Sequence, residues 1–137
     1  MIAGPLLLCM ASVNAAEDHG MPPGWAVVST NDRGVMYIHE DSIRRDGDFV
    51  EVWTAVVVDT DSGFKIFAPS PDDDVQILSF RQLDRLDCKQ RRIKLLAMHQ
   101  FPSMNLSGRS ISVNIEDKWR HIAPDTVAEG MFNLVCE

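Results

Sequence analysis

The sequence predicts an α+β fold, an antiparallel sheet of about six strands packed by one C-terminal helix. Three observations lead there. Short runs rich in β-branched residues follow one another with turn residues between them, and nowhere is there room for a βαβ crossover. A complete helix signature occurs at the end of the chain. The two cysteines that remain once an apolar leader is set aside, Cys88 and Cys136, place one thiol among the strands and the other in that helix.

The helix is the best-marked element. Pro124 pushes Ala123 out of the helical region, so residues 119–123 should run extended. Thr126 and Glu129 then form a capping box, the Thr126 hydroxyl accepting from the backbone of Glu129 and the Glu129 carboxylate returning to the backbone of Thr126. Val127, Met131 and Leu134 recur at helical spacing, with Val135 alongside. Gly130 interrupts them at a cost of about 1 kcal/mol relative to alanine on a solvent-facing side, which suggests a close contact with the sheet. A terminal helix of about three turns frays unless it is tied down, and Cys136 offers the tie.

At 137 residues the chain is one domain. With 45% hydrophobic and 24% charged residues it has enough apolar material for a core, and neither disorder nor a transmembrane span in the mature chain is expected. A net charge of −7 argues against general nucleic-acid binding, which depends on neutralising phosphates.

Residues 1–15 read as a secretory signal, an uncharged apolar run followed by small residues; residues 16–137 are then the mature domain. Val13 and Ala15 favour cleavage after Ala15, with cleavage after Ala16 second. Cys9 lies inside the hydrophobic run behind Leu8, where a lipid-attachment box needs a small residue, so lipidation is set aside. Cleavage after Ala16 would leave Glu17, Asp18 and His19 able to hold copper(II) in a square plane, an arrangement that cleavage after Ala15 removes. Cys88 and Cys136, an even pair in an exported chain, read as a disulfide. Nothing near them supports a zinc site or a C-x-x-C redox pair.

Residues 18–24 form an untethered leader into a first strand at 25–29. Asn31 to Gly34 turn the chain into a second strand at 35–39. Residues 41–47 are a connection with Asp46 and Gly47 as its tight turn. The strand at 49–58 ends in Val56, Val57 and Val58 and reads as central, buried on both faces near its end. Residues 59–74, with two prolines and three successive aspartates, form an exposed loop. Asp59, Asp61 and Gly63 only partly match a calcium loop, because the glycine is early and the closing glutamate is missing.

Strands at 77–87 and 91–101 make the next hairpin. Leu78, Phe80, Leu86 and Cys88 oppose Ser79, Arg81, Arg85 and Asp87, and Ile93, Leu95 and Ala97 oppose Arg92 and Lys94. Arg81, Arg85, Lys89, Arg91, Arg92 and Lys94 thus concentrate positive charge in one hairpin of an acidic chain. Either they are a solvated, edge-protecting face, or they form a patch for a polyanion or an acidic partner segment. As exposed charges, Arg91 and Arg92 should be reversible with little loss of stability. Residues 109–115 alternate as a further strand.

These motifs, taken in order, resemble the surface-adhesin protein E family of small exported bacterial proteins. The resemblance runs through Trp25, the stretch YIHEDSIRRDG at 37–47, Val52-Trp53, Asp87-Cys88 followed by basic residues, Trp119, Ile122, Pro124 and the final Val135-Cys136. It departs at APDT, residues 123–126, where PGS is commoner. The resemblance implies a sheet packed by the C-terminal helix, a Cys88–Cys136 disulfide, no catalytic machinery and no cofactor. It also implies adhesion to host extracellular-matrix proteins such as laminin and vitronectin. An exported location follows, in the periplasm or at the outer membrane and cell surface. An enzyme would need a convergent acid, base or nucleophile, and His39, His99 and His121 are the candidates. His39 and His99 fall at strand positions that suit core-facing structural histidines. No G-x-S-x-G elbow, phosphate-cradling glycine loop or H-E-x-x-H occurs. The alternative role is an envelope accessory protein.

Overall fold

A computed structural model describes residues 20–31, 34–58 and 76–137. The expected signal segment, the copper arrangement that only cleavage after Ala16 would create and the expected loop at 59–74 lie outside the described residues. The described chain forms one antiparallel sheet and one terminal helix. The strands are β1 (Trp25–Asn31), β2 (Gly34–His39), β3 (Arg44–Asp46), β4 (Phe49–Val58), β5 (Ser79–Asp87), β6 (Arg92–Phe101), β7 (Ile111–Ser112) and β8 (Trp119–His121), followed by α1 (Val127–Cys136). They run β1-β2-β4-β5-β6-β7, with β3 on the end of β4 and β8 on the end of β6.

β4 is central, as its valine-rich end requires: Thr54, Ala55, Val57 and Val58 are buried and the strand pairs with β2, β3 and β5. Gly34 begins β2 because a Cβ there would drive into the Val57 carbonyl oxygen, and its φ of +157° is rare for other residues. The connection after β2 holds a strand that the polar stretch Arg44-Arg45-Asp46 did not signal. Asp46 pairs with Phe49, so the tight turn is Gly47-Asp48, one residue later than expected.

A β-bulge sets the two faces of the hairpin. Leu83 faces Ala97 and Asp84 faces Leu95, which leaves Leu96 as an extra residue on β6. Ile93 and Leu95 keep the expected face, but Ala97 crosses to the side of Arg92 and Lys94. Met98 and Gln100 then join the helix side. The expected strand at 109–115 shrinks to β7, because past Ser112 only the Val113 N–H to Met98 carbonyl bond (3.1 Å) continues the ladder.

One face of the sheet is packed by α1. Met131, Phe132 and Val135 meet Met36, Ile38, Val50, Val52, Leu86 and Ile122 in one cluster. The helix is therefore rotated from the expected register. Val127 and Leu134 are 37% and 55% exposed, and the buried stripe passes through Phe132 instead. Gly130 makes no close contact with the sheet, since nothing lies within 4 Å of where its Cβ would stand. The cap forms by half: the Glu129 N–H donates to the Thr126 hydroxyl (3.2 Å), but the Glu129 carboxylate accepts from Asp125 N–H (3.2 Å) rather than from Thr126. Asp125 adopts φ +62°, which brings that N–H within reach. At the other end Arg45 donates to the Val135 carbonyl (2.6 Å), a cation at the negative end of the helix.

Cys88 and Cys136 are joined, with Cα atoms 5.5 Å apart. On the opposite face a smaller cluster of Val35, Tyr37, Ala55 and Val57 is covered by Met21, Trp25, Met104 and Leu106. The leader is thus packed by Met21 rather than untethered. Asp84 is 1% exposed on the helix side, accepting from Thr54 (3.0 Å) and Gln82 (2.9 Å). Burial pushes its pKa from 3.8 to about 6, against the pull of those two bonds.

Gly130→Ala should stabilise the protein by about 0.5–1 kcal/mol, because the site is open and helical; thermal melts should show a midpoint a few degrees higher. Cys136→Ser should cost about 4 kcal/mol, given the 48-residue separation that the bond closes, and denaturant titration will read it as a lower midpoint. Asp84→Asn tests the buried carboxyl. Between about pH 4 and 6 the unfolded chain ionises first, so this group lowers wild-type stability as pH rises through that window. The difference between variant and wild type should therefore shift toward the variant by about 3 kcal/mol from pH 4 to pH 7.5, measured by urea unfolding. A difference independent of pH would mean that Asp84 titrates normally.

Candidate binding face

The sheet face away from α1 is covered at one end by the Tyr37 cluster, and among the described residues it is open at the other. β4, β5, β6 and β8 build the open end. The registers Phe49↔Asp87, Glu51↔Arg85 and Trp53↔Leu83 align β4 with β5, Arg85↔Lys94 and Asp87↔Arg92 align β5 with β6, and Lys94↔Trp119 adds β8. Cross-strand partners share a face, so these side chains form one surface.

On it, cations lie over aromatic rings. The Arg85 guanidinium sits 4.6 Å from the Phe49 centroid, Arg92 4.9 Å from Trp119, and Lys94 5.7 Å from the same indole. Phe49 and Trp119 are themselves 5.9 Å apart. Further along, Arg81 reaches Trp53 at 5.7 Å and Phe101 at 5.5 Å. Such contacts hold long side chains flat against the sheet and contribute about 0.5–1 kcal/mol each at exposed sites.

Most of these cations are also ion-paired. Arg85 meets Glu51 at 2.7 Å, Arg92 meets Asp87 at 2.9 Å, and Lys94 pairs with Asp117. The Arg92 hydrogen bond holds Asp87 below the usual carboxylate range, with help from the Gln90 and Lys89 N–H groups and against its burial. Arg91 leaves the face altogether. At φ +53° in the β5–β6 turn it points to α1, 3.0 Å from Glu129 and 4.7 Å over Phe132. Of the six basic residues, Arg81 and Lys89 have no carboxylate partner among the described residues. Arg81, Arg85, Arg92 and Lys94 are brought together, whereas Lys89 is exposed in the turn. Arg92 is not a freely reversible charge, since its partner Asp87 is 3% exposed and would be left beside a second carboxylate.

The histidines do not converge. His99 is half-buried on the open face rather than in the core, stacked on Trp53 at 6.0 Å and accepting Arg81 Nε–H at its Nδ1 (3.2 Å). Burial, and then the Arg81 charge, hold its pKa below the ordinary value, which keeps that nitrogen an acceptor. His39 is half-buried edge-on to Trp25, 5.1 Å between centroids, and His121 is exposed. Among the described residues no group of three His, Cys, Asp or Glu side chains is placed to hold a metal ion, and no helix is long and apolar enough to cross a membrane. The aromatic half of this face, Phe49, Trp53 and Trp119, was not singled out as a site from the sequence. The odd numbering that Phe49, Glu51 and Trp53 share is the signal that could have placed them together.

Crystal structures of Haemophilus influenzae protein E share this fold. Crystal form II superposes with a TM-score of 0.66 at 17% identity, over 88% of this chain and 92% of that one. The selenomethionine form gives 0.63 at 18% identity, over 85% and 88%. Protein E from the non-typeable organism gives 0.62 at 18%, over 85% and 77%. No curated protein matches the chain. The model of the surface-adhesin protein E family matches residues 25–137, the whole of the sheet, the disulfide and the helix, and the chain belongs to that family.

Proposed function

We propose that this protein is a non-enzymatic surface adhesin, exported to the cell surface, which binds a host extracellular-matrix protein through the open sheet face. The family supports the adhesive role. The observation that carries the choice of surface is the layer of Trp53, Trp119 and Phe49 against Arg81, Arg85 and Arg92, left uncovered by either α1 or the Tyr37 cluster. Tryptophan and arginine are the residues on which protein–protein binding energy concentrates.

Of the two partners that the basic hairpin suggested, the geometry favours a protein over a polyanion. Binding to a polyanion is driven by unpaired cations, and Arg85, Arg91, Arg92 and Lys94 each carry a carboxylate. The surface is close to neutral locally, which suits a folded partner with mixed polarity. Salt dependence should accordingly be shallow.

Surface plasmon resonance against immobilised laminin and vitronectin tests this. Trp119→Ala and, separately, Arg85→Ala should each weaken binding at least tenfold, while Lys89→Glu should change it little. Melting each variant alongside separates lost binding from lost fold. Binding to heparin that exceeds binding to either protein and disappears with Lys89→Glu would instead support the polyanion partner, and unchanged binding in both face variants would move the adhesive surface elsewhere.

A further inference from the structure

The other face of the same hairpin holds a cavity of about 420 Å³, where the chain at 113–118 arches beside β6. Its walls are Ile93, Leu95 and Met98 from β6 and Val113 and Ile115 from the arch. At its floor lie Gln82 and Asp84, the carboxyl already hydrogen-bonded to Thr54 and Gln82. Lys118 and Arg120, with Asn114 and one carboxylate, Glu116, are its exposed lining residues. Arg120 is only loosely held by Glu116, at 3.8 Å with both side chains about 70% exposed. Among the described residues Lys118 pairs with no carboxylate.

This distribution of polarity is directional. An apolar chain gains by filling the walls, since apolar burial contributes about 25 cal/mol per Å². An anion could not follow it to the floor, where it would meet the Asp84 carboxyl without water. Its charge is favoured only at the mouth, where the two cations Lys118 and Arg120 outweigh the single carboxylate of Glu116. The volume lies in the range of small-molecule sites, toward its lower end, and suits one unbranched chain better than a fused-ring system.

We propose that this cavity binds a single-chain aliphatic monocarboxylate, taken up tail first between β6 and the 113–118 arch with its head group on Lys118 and Arg120. The site lies on the opposite face of the sheet from Trp53 and Trp119, so it stands or falls separately from the adhesive surface. The β6 bulge at Leu96 supports the assignment, because it is this extra residue that returns Met98 to the helix side beside Leu95. Without it the cavity would lose one apolar wall.

The test is titration of the mature chain with sodium decanoate, followed by calorimetry and by backbone amide shifts in nitrogen–proton spectra. Saturable binding with shifts confined to β6 and 113–118 is expected. Lys118→Glu combined with Arg120→Glu, both exposed positions, should weaken decanoate at least tenfold and leave binding of decanol, its uncharged counterpart, unchanged. Leu95→Trp should fill the cavity and abolish both. Absence of saturation, shifts centred elsewhere, or equal decanoate affinity in the charge-reversed variant would overturn the proposal. Tighter binding of a lysophospholipid than of decanoate would overturn the assignment to a free carboxylate.

Discussion

The bond between Cys88 and Cys136 joins the tight end of the β5–β6 hairpin to the last turn of the chain, and much of the packing is arranged about that junction. Other contacts converge on it. The Cys88 N–H donates to the Asp48 carbonyl at 2.8 Å, which ties the hairpin to the β3–β4 turn. Arg91 reaches Glu129 and Phe132 on α1, and its carbonyl accepts the Ile122 N–H at 3.1 Å. Arg45 closes the helix from the other side through the Val135 carbonyl. A ten-residue helix is marginal by itself. Here it is held covalently, by charge, and by three buried side chains on the sheet.

That junction also explains why Arg91 and Arg92, adjacent in sequence, do different work. Arg91 takes a positive φ and turns toward the helix, whereas Arg92 begins β6 and lies on the open face over Trp119. The hairpin therefore divides its charge between two sides. What reads as a single basic cluster in one dimension is a structural clamp on one side and part of an aromatic surface on the other.

The main strands, the helix and its threonine cap were legible in the sequence because each depends on local chemistry, and the cysteine pair because only Cys88 and Cys136 remain once the apolar leader is set aside. Pro124, Thr126 and Glu129 act within a few residues of one another, and β4 declares its double burial through a run of valines. The features that escaped depend on distant partners. Nothing local to Leu96 marks a bulge, so alternation alone puts Ala97 on the wrong face. The rotation of α1 onto Phe132 follows from what Met36, Val52 and Leu86 offer it. β3 is polar throughout and forms because β4 has a free edge there. The basic cluster was visible as composition, but of its carboxylate partners only Asp87 lies in the hairpin, while Glu51, Asp117 and Glu129 come from three other places in the chain.

Neutralisation by those partners bears on the binding role proposed for the open face. Six unpaired cations would attract any polyanion and release it with salt. Arginines fixed over Phe49, Trp53 and Trp119, and held by carboxylates at 2.7–2.9 Å for Arg85 and Arg92, have little freedom left to lose when a partner docks. Rigid aromatic and guanidinium planes of this kind favour a shaped protein surface over a flexible charged chain, and they do so from a sheet whose other side is braced by α1. In the binding role proposed for this face, the disulfide bears on recognition as well as stability, since the helix it ties down supports the strands that carry Arg85, Arg92 and Trp119.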